Sequence, residues 1–274
     1  MMVRGGAVTG SSPIFSKALF RMFEFDIWLV IGVAPCTFTK YRKTMRKTGI
    51  LKSSLSKKYA MALTGLFLCL FLVGHLLGNL QLFIEGEAGR VAFNEYAKFM
   101  TSNPLIKIMS YITYASILFH VIDGFVLTIA NKKARPVKYV VEKGSRNSSW
   151  ASRNMALLGT ALLVFIVTHM MNFWWVMHFG DMPVHKGVKD LHTITTHFFN
   201  PHENAMAGAA TLLYVFAMVS MSIHLHHGFQ SAFKSLGLDH PKYNSTVKFM
   251  GKAFSLVIPS AFASIPIFLY LTQA

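Results

Sequence analysis

Five apolar runs, each about the 20 residues a helix needs to cross a hydrocarbon core, divide this 274-residue chain. They cover 59–83, 105–130, 155–177, 205–229 and 249–271. Polar, turn-forming pairs separate them: Asn103-Pro104 before the second run, Asn200-Pro201 before the fourth, and Gly237 with Pro241 after it. A helix that is apolar all round is satisfied only by lipid or a deep interior, so the pattern predicts an all-α, integral membrane five-helix bundle spanning 46–274. The stretch 19–38 is not a sixth span, because Arg21, Glu24 and Asp26 interrupt it and Pro35 closes it. It also lacks the ordered regions of a signal peptide. Residues 1–45 read as a poorly specified extension, with Met45 available as a functional start.

Composition agrees with a lipid environment: 53% of residues are hydrophobic, 14% are charged, and the mean hydropathy is +0.43. The net charge of +16 would suit a nucleic-acid partner if the cations shared one face. They alternate with the spans instead. Eight lie between Lys40 and Lys58, seven between Lys132 and Arg153, and four from Lys234 to Lys252, whereas the other connections hold only Arg90, Lys98, Lys107, Lys186 and Lys189. By the positive-inside rule this places the N-terminal segment and the second-to-third and fourth-to-fifth connections in the cytoplasm, with the C-terminus outside. Nucleic acid is thereby set aside. Cys36 and Cys69 are too few for a disulfide framework or an iron–sulfur site.

Ionisable side chains inside a span face the protein interior, pair or bind something. Four spans carry histidine: His75, His120, His169 and His224 in order, with His226 and His227 following the last. His75 and His169 come about 14 to 16 residues from the cytoplasmic ends of their spans, roughly 21–24 Å along a helix, and so in the outer half. His120 and His224 lie on spans that run the other way and come in the inner half. Two pairs on different helices at two depths match two b-type haems, each needing an imidazole on either side of its iron. Any single histidine is explained as well by a hydrogen bond to a neighbouring helix. It is the set that points to iron.

Glycines recur beside these positions. His120-Val-Ile-Asp-Gly124 and His224-Leu-His-His-Gly228 share H-x-x-x-G, which puts each glycine one turn along on the ligand's face and selects His224 over His226 and His227. Gly65 and Gly159 each precede their span's histidine by ten residues, about 15 Å, near the level of the other pair. Flat haems need such positions without a Cβ, although Gly74-x-x-x-Gly78 fits plain helix contact equally well. His178, His185, His192, His197 and His202 share the outer connection with Asp181, Asp190 and Glu203, but without regular metal-ligand spacing, and no metal is assigned there.

Lys57-Lys58, Thr64-Gly65, Gly74-His75-Leu-Leu-Gly-Asn79, Phe93-Asn94-Glu-Tyr96-Ala97, Asn103-Pro104, Phe119-His120-Val-Ile-Asp-Gly124, Ser152-Arg153, Thr168-His169 and the run from Ile223 to Phe233 occur in that order. Together they resemble the cytochrome b membrane anchor of succinate:quinone oxidoreductases, in the class with one five-helix anchor and two haems. The similarity covers about residues 50–272. It implies a subunit of succinate dehydrogenase or fumarate reductase in a bacterial cytoplasmic membrane, carrying electrons between an iron–sulfur subunit and membrane quinone. A flavoprotein would complete the assembly on the cytoplasmic side.

On this resemblance His120 and His224 bind the inner haem and His75 and His169 the outer one. Arg153, Ser231 and Lys234 are candidates for the inner haem's propionates, set against ordinary interfacial snorkelling. Glu95 is the candidate for quinone proton exchange, with Glu85 and Glu87 as rivals, and menaquinone is expected rather than ubiquinone. The chain has no nucleotide loop or nucleophile constellation of its own, so succinate chemistry would belong to partners. Two alternatives stay open: a cytochrome b of a hydrogenase or formate dehydrogenase, and a haem-free transporter with intramembrane histidines.

Overall fold

Ser53 opens the first helix by accepting a hydrogen bond from the Ser56 amide at 3.1 Å, the cap expected of a serine ahead of an apolar run. The computed structural model describes residues 53–134 and 148–272, so the extension 1–45 lies outside the described residues. Helix α1 (Ser54–Asn79) continues as a 3₁₀ turn to Phe83. A helix the apolar pattern did not predict follows, α2 (Gly86–Ser102). Asn103 alone links it to α3 (Pro104–Lys133). Its side chain accepts from the Leu105 and Ile106 amides at 2.9 and 3.3 Å, and Pro104 sits at the first helical position, where no amide is needed.

After a short helix α4 (Trp150–Arg153), α5 (Met155–His169) passes through a π-helical turn, Met170–Trp174, into α6 (Trp175–Phe179). A two-stranded hairpin, β1 (Val184–His185) with β2 (Val188–Lys189), turns through Lys186 and Gly187, both at positive φ as a two-residue hairpin turn requires. Helix α7 (Leu191–Phe199) precedes α8 (Ala207–Ser235). Gly237, at φ +77°, ends α8: its amide reaches the Lys234 carbonyl and that of Leu238 reaches Phe233, a Schellman closure. Helix α9 runs Pro241–Thr272, eight residues earlier at its start than the apolar run, because its first turns are polar and Pro241 supplies the helix start.

Five of these segments are long and apolar enough to cross a membrane: 54–83, 104–133, 155–179, 207–235 and 241–272. The protein is a multi-pass membrane protein. Its outward surface suits lipid, since Leu63, Leu70 and Leu77 form an exposed stripe on α1, and Leu118, Ile122, Phe125 and Ile129 lie exposed on α3. The core lies where α8 and α9 pack together against α1, around Leu76, Tyr214, Ile258, Ile265 and Leu269. Helix α1 packs on α3 and α8, and the α5 segment packs on the same two.

At one end of the bundle α2, the hairpin and α7 form a cap. The fully buried Asp190 carboxylate ties it together. Arg90 Nε donates to it at 2.9 Å, Asn94 Nδ2 at 2.7 Å and Thr193 Oγ1 at 2.7 Å, and it caps α7 through the Thr193 amide at 3.2 Å. Burial alone would push its carboxyl up, but the bonds from Arg90, Asn94 and Thr193 hold it well below the usual range. On the surface beside it, Lys186 and His185 pull Glu87 down to about 2.

Tyr96 seats the cap on α1. Its hydroxyl donates to the Gly74 carbonyl at 3.2 Å, and its ring fills the space over Gly78, where a Cβ would lie 2.3 Å from Tyr96 Cε1. Gly78→Ala should therefore displace Tyr96 and destabilise the fold by about 1–3 kcal/mol, the usual cost of overpacking. Thermal unfolding in detergent checks this. A variant as stable as the native chain would mean that Tyr96 does not hold the cap.

Candidate functional site

The four intramembrane histidines meet in two pairs across the bundle. His75 on α1 and His169 at the end of α5 have ring centroids 5.9 Å apart, and His120 on α3 and His224 on α8 lie 6.3 Å apart. All four imidazoles are half-buried. The helices carrying each pair are not among the closely packed neighbours, so it is the side chains that bridge the gap. These are the two partnerships given by the depth count.

Small residues line the pairs. A Cβ on Gly65 would lie 3.2 Å from His120 Cε1, and one on Gly159 would lie 3.8 Å from His224 Cε1, so each glycine sits at the level of the other helix pair's histidine. A Cβ on Gly74 or Gly228 would enter open space. Gly124 is less open, with the Met61 methyl 3.6 Å from such an atom. Glycine therefore leaves room beside both pairs.

The rings are held unequally. Thr64 Oγ1 lies 3.2 Å from His120 Nδ1, and the Tyr214 hydroxyl lies 3.3 Å from His169 Nδ1. His75 Nδ1 has the Asn79 amide at 3.5 Å, an amide already bonded to the His75 carbonyl at 2.8 Å. His224 Nδ1 is sealed from solvent with no hydrogen-bond partner, the kind of buried polar atom that calls for an explanation. Aromatic rings surround the outer pair. Phe71 stacks on His75 at 5.4 Å, Phe165 stacks on His169 at 5.6 Å, and Phe262 and Phe173 lie at 5.6 and 5.3 Å from His75 and His169.

His226 turns away from the pair toward α9, with Nδ1 3.5 Å from Ser255 Oγ. Three further histidines have partners of their own. His185 bonds Glu87 at 2.9 Å, His197 bonds Glu203 at 2.7 Å, and His178 Nδ1 lies 2.8 Å from the Trp174 carbonyl. Burial lowers the pKa of His192. Among the described residues no group of three or more His, Cys, Asp or Glu side chains is gathered as a metal site.

The remaining candidates are dispersed. Ser231, seven residues after His224 and so two turns along the same face, is exposed. Lys234 instead lines a cleft between α8 and α9 with Gln230, Phe233, Asn244 and Lys248, a quarter-turn off that face. Arg153 is exposed at the end of α4 and donates to the Ser148 carbonyl. Glu95 lies exposed on α2 rather than in a loop, next to Tyr96, and Glu87 is engaged by the hairpin.

Two features were not visible in the sequence. One is the Arg90–Asp190–Asn94 network, whose partners are 96 to 100 residues apart. The other is the π-turn after His169, a distortion that recurs at functional sites. Its Trp174 donates to the Tyr114 hydroxyl at 2.7 Å, joining α3 to the third span in a belt with Tyr111 and Trp175. No family model, curated protein or solved structure matches this chain.

Proposed function

We propose that this chain is the cytochrome b membrane anchor of a succinate dehydrogenase or fumarate reductase, holding two haem b groups on bis-histidine ligands. The observation that carries the reading is the pair of imidazole pairs, His75 with His169 and His120 with His224, each bridging two helices. Metal–imidazole bonds of about 2.0–2.1 Å put two rings on opposite sides of one iron about 6 Å apart between centroids. The observed 5.9 and 6.3 Å are close to that spacing. The open space beside Gly74 and Gly228 and the unpartnered His224 Nδ1 also favour a group seated between the helices. A porphyrin supplies four ligands itself, so two histidines per iron suffice.

In this reading His120 and His224 hold the inner haem and His75 and His169 the outer one. Haem iron, when bound, supplies one-electron transfer. The chain's residues orient the ligands, keep water from the span interior and meet quinone at the outer end. Ser231, on the His224 face, is better set for a haem propionate than Lys234, while Arg153 is a cation at the same end of the bundle. Glu95, beside Tyr96 on the cap near His75, is the proposed site of proton exchange with quinone, menaquinone before ubiquinone. The cation-rich connections favour a cytoplasmic N-terminus, an outside C-terminus and a bacterial inner membrane. The iron–sulfur and flavoprotein subunits would dock at that basic end.

A reduced-minus-oxidised spectrum of the purified chain, with haem quantitation, tests the reading. Two b-type haems per chain are expected, with a flavoprotein and an iron–sulfur subunit co-purifying. Haem with a hydrogenase or molybdoenzyme partner would reassign the anchor, and a spectrum without haem would leave the histidines to transport.

A further inference from the structure

One imidazole of each pair touches a hydroxyl, and the other does not. Thr64 Oγ1 has already committed its proton, with the Ala60 carbonyl at 2.7 Å and the Met61 carbonyl at 3.2 Å, so toward His120 Nδ1 it can only accept. The Tyr214 hydroxyl, 3.3 Å from His169 Nδ1, differs: Asn172 donates to its oxygen, so its own proton can go to Nδ1 and it is not an acceptor-only partner of the kind Thr64 is. A ring that donates from Nδ1 keeps its Nε2 lone pair free for a metal, and the acceptor fixes both tautomer and rotation. The opposite rings lack this support, since His224 Nδ1 has no partner and His75 Nδ1 faces the Asn79 amide nitrogen, a donor that cannot accept its proton.

We propose that Thr64 is a positioning residue for the inner pair: it locks His120 as an Nδ1–H donor, giving that iron one strongly donating and one weakly donating imidazole. This rests on the haem reading and adds which ligand of the inner pair is tuned, and by what. A hydrogen bond accepted from Nδ1–H raises the ligand's basicity and favours the ferric state, so removing it eases reduction of that haem alone.

The test is a redox titration of the b bands in the full chain. Thr64→Val should make reduction of the His120/His224 haem about tenfold more favourable, about 59 mV upward for a one-electron couple, and leave the other unmoved. Thr64→Ser, which keeps the hydroxyl, should titrate like the native chain. The His120→Ala and His75→Ala variants assign each band to its pair. Selective loss of the His120/His224 haem in Thr64→Val, with retention in Thr64→Ser, would support the same role through affinity.

Unmoved midpoints, equal shifts of both haems, loss of both haems in Thr64→Val and Thr64→Ala alike, or a Thr64→Ser variant that behaves like valine would each overturn it. A native chain with no haem sinks this proposal together with the functional reading. Two native haems whose midpoints ignore the Thr64 hydroxyl sink this proposal only.

Discussion

On the proposed two-haem reading, His120→Ala is expected to halve the haem content of the chain, leaving one b-type haem on His75 and His169. His120 faces His224 across the gap between α3 and α8, and the neighbouring His226 is turned to Ser255 instead. A single imidazole on α8 cannot hold a six-coordinate iron, and the pocket's own packing offers little else: Gly65 contributes no side chain and Gly228 opens on empty space. The outer pair should survive. On α1 it is separated from the inner level by the ten residues between Gly65 and His75, about 15 Å, and it has its own shell in Phe71, Phe165, Phe173 and Tyr214. His75→Ala should give the complementary loss. Haem extraction and quantitation per chain measure both, and full haem retention in either variant would be incompatible with the ligand assignment.

Asp190→Ala should be the most damaging change outside the spans. It strips the acceptor from Arg90, Asn94 and Thr193 together and removes the cap of α7. Breaking a buried ion pair costs about 3–5 kcal/mol, but Arg90 is 36% exposed and recovers part of its solvation, so about 2–4 kcal/mol is expected. The loss should fall on the cap. Amide exchange in 86–102 and 184–199 would rise while the spans stay protected.

Acid should act on the same bond. The Asp190 carboxyl is held below its ordinary value of about 3.9, so its contribution is fully present above that pH and fades as the pH drops toward the folded value. Neutral Asp190→Asn should lose this acid sensitivity. Cap exchange in Asp190→Ala equal to that of the native chain would remove the network from any account of stability.

The membrane spans were legible because each is one unbroken apolar run, and their ends were marked by Asn103-Pro104, Gly237 and Pro241. Helix α2 was not, because it lies at the bundle's end and is apolar on one side only, burying Gly89, Phe93 and Ala97 while exposing Glu87 and Glu95. The histidine pairings could be read because alternating spans turn position along the chain into depth. The levels of Gly65 and Gly159 followed from the same count. What depth could not supply was rotation about each helix. Thr64 and Tyr214 reach their histidines from 56 and 45 residues away, and Lys234 comes out a quarter-turn off the His224 face.

The π-turn between His169 and Trp174 bears on that rotation. A turn closed by five residues holds one more than the helix around it, so everything beyond it is offset by about 100° of helical phase relative to His169. Trp174 meets Tyr114, and Lys189 reaches the Met177 carbonyl at 2.6 Å, with that offset in place. The histidine and the aromatic belt beyond it therefore answer to different registers of the same span. Removing one residue within the turn would let it close as regular α-helix with the belt and His169 both facing as they do, whereas a deletion in the α-helical stretch before it would turn one against the other.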